Sequence, residues 1–231
     1  MESRWNAATP ILLITTIVFM FASVWMTLIY APDEKIMGPV QRIFYFHVPA
    51  ALVTYSSVFI LLGASMAYLW TRRSVFDHVS RAATEVGLLF CTMVLVTGPI
   101  WARPAWGVWW TWEARLTTTL VLWLLLASCL MVRRYATERE TGGRLAAVLG
   151  IIAALDVPIV HKAVEWWRGQ HPQVFGPGKK APLAPEMMEA FLVSAVAFFL
   201  LLGLLVLIRT RLATLEDRAQ SLSERAAGEG T

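Results

Sequence analysis

Six long apolar runs constrain this chain more than any other feature of its sequence. A helix needs about twenty apolar residues to cross the hydrocarbon core of a bilayer. Such runs lie at approximately 11–30, 48–70, 82–100, 116–132, 145–164 and 187–208. They are continuous rather than alternating, which disfavours a β-barrel, and 57% of the residues are hydrophobic. The sequence therefore predicts an all-α integral membrane protein, a six-transmembrane-helix bundle that forms one domain over residues 1–231.

The arginines predict how these helices are oriented. They are concentrated in the loops after the second and fourth runs and in the segment after the sixth, as Arg72, Arg73, Arg81, Arg133, Arg134, Arg139, Arg144, Arg209 and Arg211. The positive-inside rule then places both termini in the cytoplasm, with 209–231 as a solvated helical tail. The loops 31–47, 101–115 and 165–186 would face the extracytoplasmic side. The net charge of +4 reflects this topology, and no nucleic-acid motif is present.

One of these outward loops is unusually rich in tryptophan. It carries Trp101, Trp106, Trp109, Trp110 and Trp112. A membrane interface attracts tryptophan, but such belts are usually sparse. Indole is flat, wide and largely apolar, and Glu113 and Arg115 lie beside these rings. The loop therefore predicts an extracytoplasmic platform for a flat ligand, with a crowded interfacial anchor as the alternative.

Two histidines lie in or beside the same outward loops. His47 comes shortly before Pro49, which suits the first turn of a helix, so we expect His47 just before the second helix begins. His171 follows Trp166 and Trp167 in another loop. Each histidine alone is more often a structural residue. Together they predict a haem site, because two neutral imidazoles can occupy both axial positions of the iron.

The sequence also offers arginines that could bind the carboxylates of haem, and two further histidines that are weaker ligand candidates. The carboxylates of a porphyrin could accept charge-assisted hydrogen bonds from Arg42, Arg103, Arg115 or Arg168. His161 is a weaker ligand candidate than His171, because it lies within or at the end of the fifth run and can hydrogen-bond inside the bundle. His78 lies in a predicted cytoplasmic loop, where we expect it to be solvated.

Other chemistries lack their usual residues. No Gly-rich phosphate loop occurs, so energy from ATP would have to come from another chain. Neither Gly-x-Ser-x-Gly nor His-Glu-x-x-His is present. Asp156 and Glu85 are acids within the runs, but Asp156 can equally serve the carbonyl that Pro158 leaves free. We therefore expect no catalytic residue and no enzymatic activity.

At the tryptophan-rich loop the sequence resembles a known family. The segment 106–117, WGVWWTWEARLT, resembles the WWD signature of the haem-handling proteins of cytochrome c biogenesis. The segments 45–51, YFHVPAA, and 158–167, PIVHKAVEWW, are similar to those of the CcmC haem exporter family in particular. The resemblance covers nearly the whole chain up to about Arg211.

This resemblance implies a site and a set of partners. It implies that His47 and His171 are the axial ligands of the iron of haem b, and that the remaining contacts come from Trp101, Trp106, Trp109, Trp110, Trp112, Glu113 and Arg115. The family usually has aspartate where this chain has Glu113, whose carboxylate reaches one methylene further. The implied partners are the haem chaperone CcmE, the ABC transporter subunits CcmA and CcmB, the small single-span subunit CcmD, and membrane lipid. The implied location is the bacterial inner membrane.

The expected function is to hold haem on the extracytoplasmic face and deliver it to CcmE. Two imidazoles on separate loops would suit this, because movement of one loop would expose the iron. Two alternatives stay open: a haem lyase that attaches haem to apocytochrome c, as larger WWD-containing proteins do, and a membrane scaffold subunit without a haem site.

Overall fold

The computed structural model describes residues 2–169, 171 and 183–229. Six helices account for most of them: α1 (Glu2–Trp25), α2 (Phe44–Thr71), α3 (Ser74–Trp106), α4 (Ala114–Tyr135), α5 (Arg139–Trp167) and α6 (Pro185–Glu229). A π-helical turn, Met26–Tyr30, continues α1, and a 3-10 turn, Pro39–Ile43, precedes α2. All six are long and apolar enough to cross a membrane. The prediction of an all-α membrane protein is confirmed, and each predicted span lies within one of these helices, the first one counted together with the π-helical turn.

Helices α2 and α3 occupy the centre of the bundle. Helices α4 and α5 pack against them on one side, and α6 packs on the other side with α1 against it. Glycines allow close approach where α2 meets its neighbours. A Cβ at Gly150 of α5 would lie 2.9 Å from Leu61 Cδ1, and one at Gly87 of α3 would lie 3.2 Å from Ser57 Cβ. Small residues at such contacts are typical of membrane helices, because dispersion between closely packed surfaces drives their association.

The second helix begins earlier than the sequence predicts. Helix α2 starts at Phe44, so His47 lies inside it and Pro49 is an interior residue. Pro39 at the start of the preceding 3-10 turn supplies the helix-start signal, because its fixed φ suits a first helical turn. The expectation that His47 precedes the helix is wrong. A helix rather than a loop holds this imidazole.

The third helix ends later than the sequence predicts. It continues past two interior prolines to Trp106 and stops at Gly107, where φ is +77° and the N–H bonds a carbonyl four residues earlier at 3.0 Å. Glycine ends the helix because it adopts this left-handed conformation without steric cost. Trp101 and Trp106 therefore lie on α3. The tryptophan-rich loop is shorter than expected and runs over 107–113.

At the opposite end of the bundle, the expectation for His78 is wrong, and the predicted helical tail is exposed over residues 218–223 but not over its first part. His78 lies on α3 and is buried, with Nε2 2.5 Å from Asp217 Oδ2 and Nδ1 3.0 Å from Thr214 Oγ1. Arg81 of α3 pairs with Glu216 at 2.8 Å. Helix α6 continues past the predicted span, and its carboxylates meet the basic end of α3. The first part of the tail is thus docked by ion pairs.

Candidate functional site

A cavity of about 600 Å³ opens among α2, α3, α4 and α5 at the end of the bundle that carries the tryptophan-rich loop. This volume lies within the usual range for cofactor and ligand sites. Of the sites predicted from sequence, the cavity wall includes His47, Trp101, Trp106, Trp110, Arg115 and His171. Residues from five separate segments of the chain therefore meet at one concave surface.

Residues of α3 fix the position of His47. The imidazole is only 5% exposed, and its Nδ1 lies 2.8 Å from Thr97 Oγ1. The ring of Trp101 packs edge-on against it with centroids 5.8 Å apart. His47 thus enters the cavity wall with one ring nitrogen engaged by the protein, and Nε2 has no hydrogen-bond partner among the described residues.

His171 reaches the same cavity from the connection between α5 and α6. The side chain is 20% exposed, and its Nδ1 lies 3.4 Å from Glu113 Oε1. The ring of Trp106 packs edge-on at 6.1 Å. A Cβ at Gly169 would lie 2.9 Å from Glu113 Oε2, so glycine lets the connection approach the carboxylate. Glu113 therefore lies behind His171 and does not itself line the cavity.

The five predicted tryptophans divide into two groups. Trp101, Trp106 and Trp110 line the cavity, whereas Trp109 and Trp112 are 59% and 75% exposed and do not line it. Trp110 and Trp112 make an edge-on contact with centroids 5.7 Å apart. The structure thus brings three of the five indoles to the two histidines, and the exposed rings have the character of an interfacial anchor.

Arg115 is the arginine that the structure brings to the cavity. Its Nη2 donates to the backbone carbonyl of His161 at 3.0 Å, and its Nε is buried without a hydrogen-bond acceptor among the described residues. The other predicted arginines lie elsewhere. Arg42 pairs with Asp33 at 3.0 Å, Arg103 donates to the Gly107 carbonyl, and Arg168 is exposed at the end of α5.

The cavity wall presents hydrogen-bond donors that the described part of the protein leaves unused. The indole nitrogens of Trp101 and Trp110 are buried without an acceptor, as is Nε of Arg115. Buried donors without acceptors are costly, so a ligand with anionic or carbonyl oxygens would suit this wall. An apolar surface, two imidazoles and a cation fit a planar iron porphyrin with carboxylates on one edge.

The turn between α1 and α2 contributes to the rim of the cavity through Ile36 and Met37. Glu34 holds the turn together, because its carboxylate accepts hydrogen bonds from the backbone N–H groups of Met37 at 2.6 Å and Ile36 at 2.8 Å. These two hydrogen bonds lower the pKa of the Glu34 carboxyl below its ordinary value.

Sequence reasoning missed Thr97. His161, which the sequence ranks below His171 as a ligand candidate, also lines the cavity. Thr97 precedes Trp101 by four residues, so the two share one face of α3. That spacing could have identified Thr97 if the helix had been extended past residue 100. Of the acids within the runs, Glu85 pairs with Arg81 at the opposite end of the bundle, and Asp156 is buried outside the cavity wall.

Known proteins resemble this chain over almost all of its length. Residues 3–225 match the family described as CcmC, "Heme exporter protein C". "Heme exporter protein C" of Bradyrhizobium diazoefficiens is 32% identical over 220 residues, which are 94% of this chain and 81% of that protein. The protein of the same name from Haemophilus influenzae is 31% identical over 217 residues, 92% of this chain and 87% of that one. The one from Escherichia coli K12 is 32% identical over 188 residues, 78% and 76% of the two chains.

Proposed function

Because this chain belongs to the heme exporter protein C family, we propose that the cavity among α2, α3, α4 and α5 is where it holds haem. Membership makes the chain a multi-pass membrane component of haem handling in cytochrome c maturation, a transfer component rather than a catalytic enzyme. The finer proposal concerns the site, the direction of transfer and the partners.

The observation that carries the proposal is the meeting of His47 and His171 at one cavity walled by tryptophan. Haem iron accepts two axial nitrogens, and an imidazole on α2 and another on the α5–α6 connection can supply them. Indole faces cover an apolar macrocycle, and Arg115 is the cation available for a propionate. The two ligands differ in their supports, since a helix holds His47 and a connecting segment holds His171.

This difference suggests how haem could be both captured and released. His47 is buried within α2, so it stays in place while haem enters or leaves. His171 is more exposed and approaches the cavity from a connection, so its withdrawal would open one axial position and one face of the ring. The sequence predicts that movement of either loop could expose the iron. We therefore propose that the segment carrying His171 moves and that His47 stays in place.

We further propose that this end of the bundle is extracytoplasmic, in a bacterial inner membrane, and that the haem is haem b. The opposite end carries Arg72, Arg73, Arg133 and Arg134, which the positive-inside rule assigns to the cytoplasm. From there haem would pass to the chaperone CcmE, with CcmA, CcmB and CcmD as the other subunits of a haem exporter complex.

Absorption spectra of the purified protein test the site. We expect the wild-type protein in detergent to bind haem with the low-spin spectrum of two axial imidazoles. His47→Ala and His171→Ala should each lose this spectrum, whereas His78→Ala, a substitution at the opposite end, should keep it. Unchanged spectra in both site variants would refute the ligand assignment. Absence of a Soret band in the wild-type protein would instead favour a scaffold without a haem site.

Co-purification tests the direction of transfer. With haem present, the wild-type protein should retain the chaperone CcmE, and His171→Ala should retain less of it under the same conditions. Equal retention with and without haem would refute a haem-dependent delivery step. Attachment of haem to apocytochrome c by the purified protein would favour the haem lyase alternative.

A further inference from the structure

We propose that Thr97 is a positioning residue that holds His47 in the tautomer whose Nε2 lone pair is available to a ligand in the cavity. The inference rests on the proposed function only for the identity of that ligand, since the tautomer is a property of the protein itself. The proposal assigns a role to Thr97, whose side chain does not line the cavity.

The hydroxyl of Thr97 has one proton, and its surroundings determine where that proton goes. Thr97 Oγ1 lies 2.7 Å from the backbone carbonyl oxygen of Met93, one turn earlier in α3. A carbonyl oxygen can only accept, so two oxygens at this distance require the Thr97 proton between them. The proton is thus committed to Met93, and the hydroxyl can offer only a lone pair to any other neighbour.

That lone pair faces His47 Nδ1 at 2.8 Å. Because Thr97 has no second proton to donate, the hydrogen bond requires the proton to lie on Nδ1. A neutral imidazole carries one ring proton, so Nε2 is then unprotonated. A metal ligand needs this lone pair, and the tautomer of a histidine is set by the hydrogen bond that its other nitrogen makes.

The surroundings leave His47 little freedom to turn away from Thr97. The imidazole is buried, Trp101 packs against its edge, and Gly98 lies beside Cε1, since a Cβ there would be 3.5 Å from that atom. Thr97, Gly98 and Trp101 are all on the last turns of α3. Helix α3 therefore orients the His47 ring in three ways. Thr97 provides the hydrogen-bond acceptor, Trp101 provides a packing surface, and Gly98 leaves space beside Cε1.

The supports of the two histidines are chemically different. His47 is supported by a neutral hydroxyl, whereas His171 has the carboxylate of Glu113 behind its Nδ1. A carboxylate makes the opposite ring nitrogen more electron-rich than a hydroxyl does. The Thr97 contact thus orients His47 without adding charge beside a buried ring.

Nitrogen NMR of the haem-free protein tests the tautomer directly. The full-length protein is purified in detergent with 15N-labelled histidine, and the His47 signals are assigned as those absent from His47→Gln. We expect Nδ1 at the shift of a protonated ring nitrogen and Nε2 at that of an unprotonated one. Protonation at Nε2 in the wild-type protein would overturn the proposal.

Two substitutions at the same position separate hydrogen bonding from packing. Thr97→Val keeps the shape of threonine but removes the acceptor, whereas Thr97→Ser keeps the hydroxyl and loses the methyl group. We expect Thr97→Val to shift His47 towards the Nε2–H tautomer and Thr97→Ser to leave it unchanged. A packing role predicts the reverse order, and that order, or two unchanged variants, would refute the proposal.

Haem binding by the same proteins gives a second readout. Loss of a supporting hydrogen bond typically weakens metal affinity by about 10- to 100-fold, so we expect this loss in Thr97→Val and little loss in Thr97→Ser. Thr92→Val is the matched control, because Thr92 lies on α3, bonds the Leu88 carbonyl at 2.7 Å and lies outside the cavity wall. If no variant and not even the wild-type protein bound haem, the proposed function would fail while the tautomer result still stood.

Discussion

Replacing Arg115 with glutamine tests whether this cation binds the carboxylates of haem. Arg115 lines the cavity, and its buried Nε has no acceptor among the described residues. A hydrogen bond to a charged group contributes about 1.5–3 kcal/mol, which corresponds to a factor of about 10 to 150 in the dissociation constant. We therefore expect Arg115→Gln to weaken haem affinity by about this factor, since glutamine keeps polar donors but loses the charge.

Haem dimethyl ester isolates the contribution of the carboxylates. The ester keeps the macrocycle and the iron, but its esterified side chains carry no charge. Both ligands are titrated into the detergent-purified proteins, and binding is followed at the Soret band. The wild-type protein and Arg115→Gln should bind the ester with nearly equal affinity, because the interaction that the substitution removes is absent from both.

Arg168→Gln is the matched control for the loss of positive charge. Arg168 is exposed at the end of α5 and does not line the cavity. Its substitution should therefore change the affinity for haem and the affinity for the ester by no more than about twofold, as is usual for exposed charges. If Arg115→Gln weakened binding of the ester as much as binding of haem, its effect would come from a change in cavity shape. That result would refute the carboxylate assignment.

Three further outcomes are expected. Glu113→Gln should weaken haem affinity by about 10- to 100-fold while the iron stays six-coordinate, because the change alters the support of His171 and not the ligand itself; a spectrum without the His171 ligand would contradict this. Gly150→Ala should lower the free energy of unfolding by about 1–3 kcal/mol in denaturant titrations, and Gly63→Ala, with open space around it, should not. Glu34→Gln should lower the melting temperature at neutral pH. This difference from the wild-type protein should shrink as acid protonates the Glu34 carboxylate, because a carboxyl group with a lowered pKa stabilises the fold only while it is ionised. A difference that stayed constant with pH would contradict the prediction.

The features of the fold that sequence reasoning predicted correctly share a local signal. Long apolar runs give the six helices, because the cost of moving each residue into lipid depends mainly on that residue. Because successive helices cross the membrane in opposite directions, the connections that follow α1, α3 and α5 lie at the same end of the bundle. That argument predicted that His47 and His171 would lie at the same end, and both line the cavity. It left four arginines as candidates, of which Arg115 lines the cavity.

The errors came from features that a single stretch of sequence does not contain. Helix α3 continues past its prolines to a glycine, which moved Trp101 onto a helix that reaches His47. The expectation that His78 is solvated rests on its position in a predicted cytoplasmic loop. Its partner Asp217 lies 139 positions away, and the two meet only because α6 extends along α3.

The sequence by itself determined the membrane class, the number of helices and the end of the bundle at which the predicted site residues lie. Hydropathy and charge set the free energy of moving a segment from water into lipid, and each residue contributes to that free energy separately. Only the tertiary structure decided which of the five tryptophans line the cavity and which side chains lie behind the two histidines. Those contacts depend on the rotation and end points of packed helices. Thr97 and Glu113 therefore reach the two imidazoles only when α2, α3, α4 and the α5–α6 connection meet.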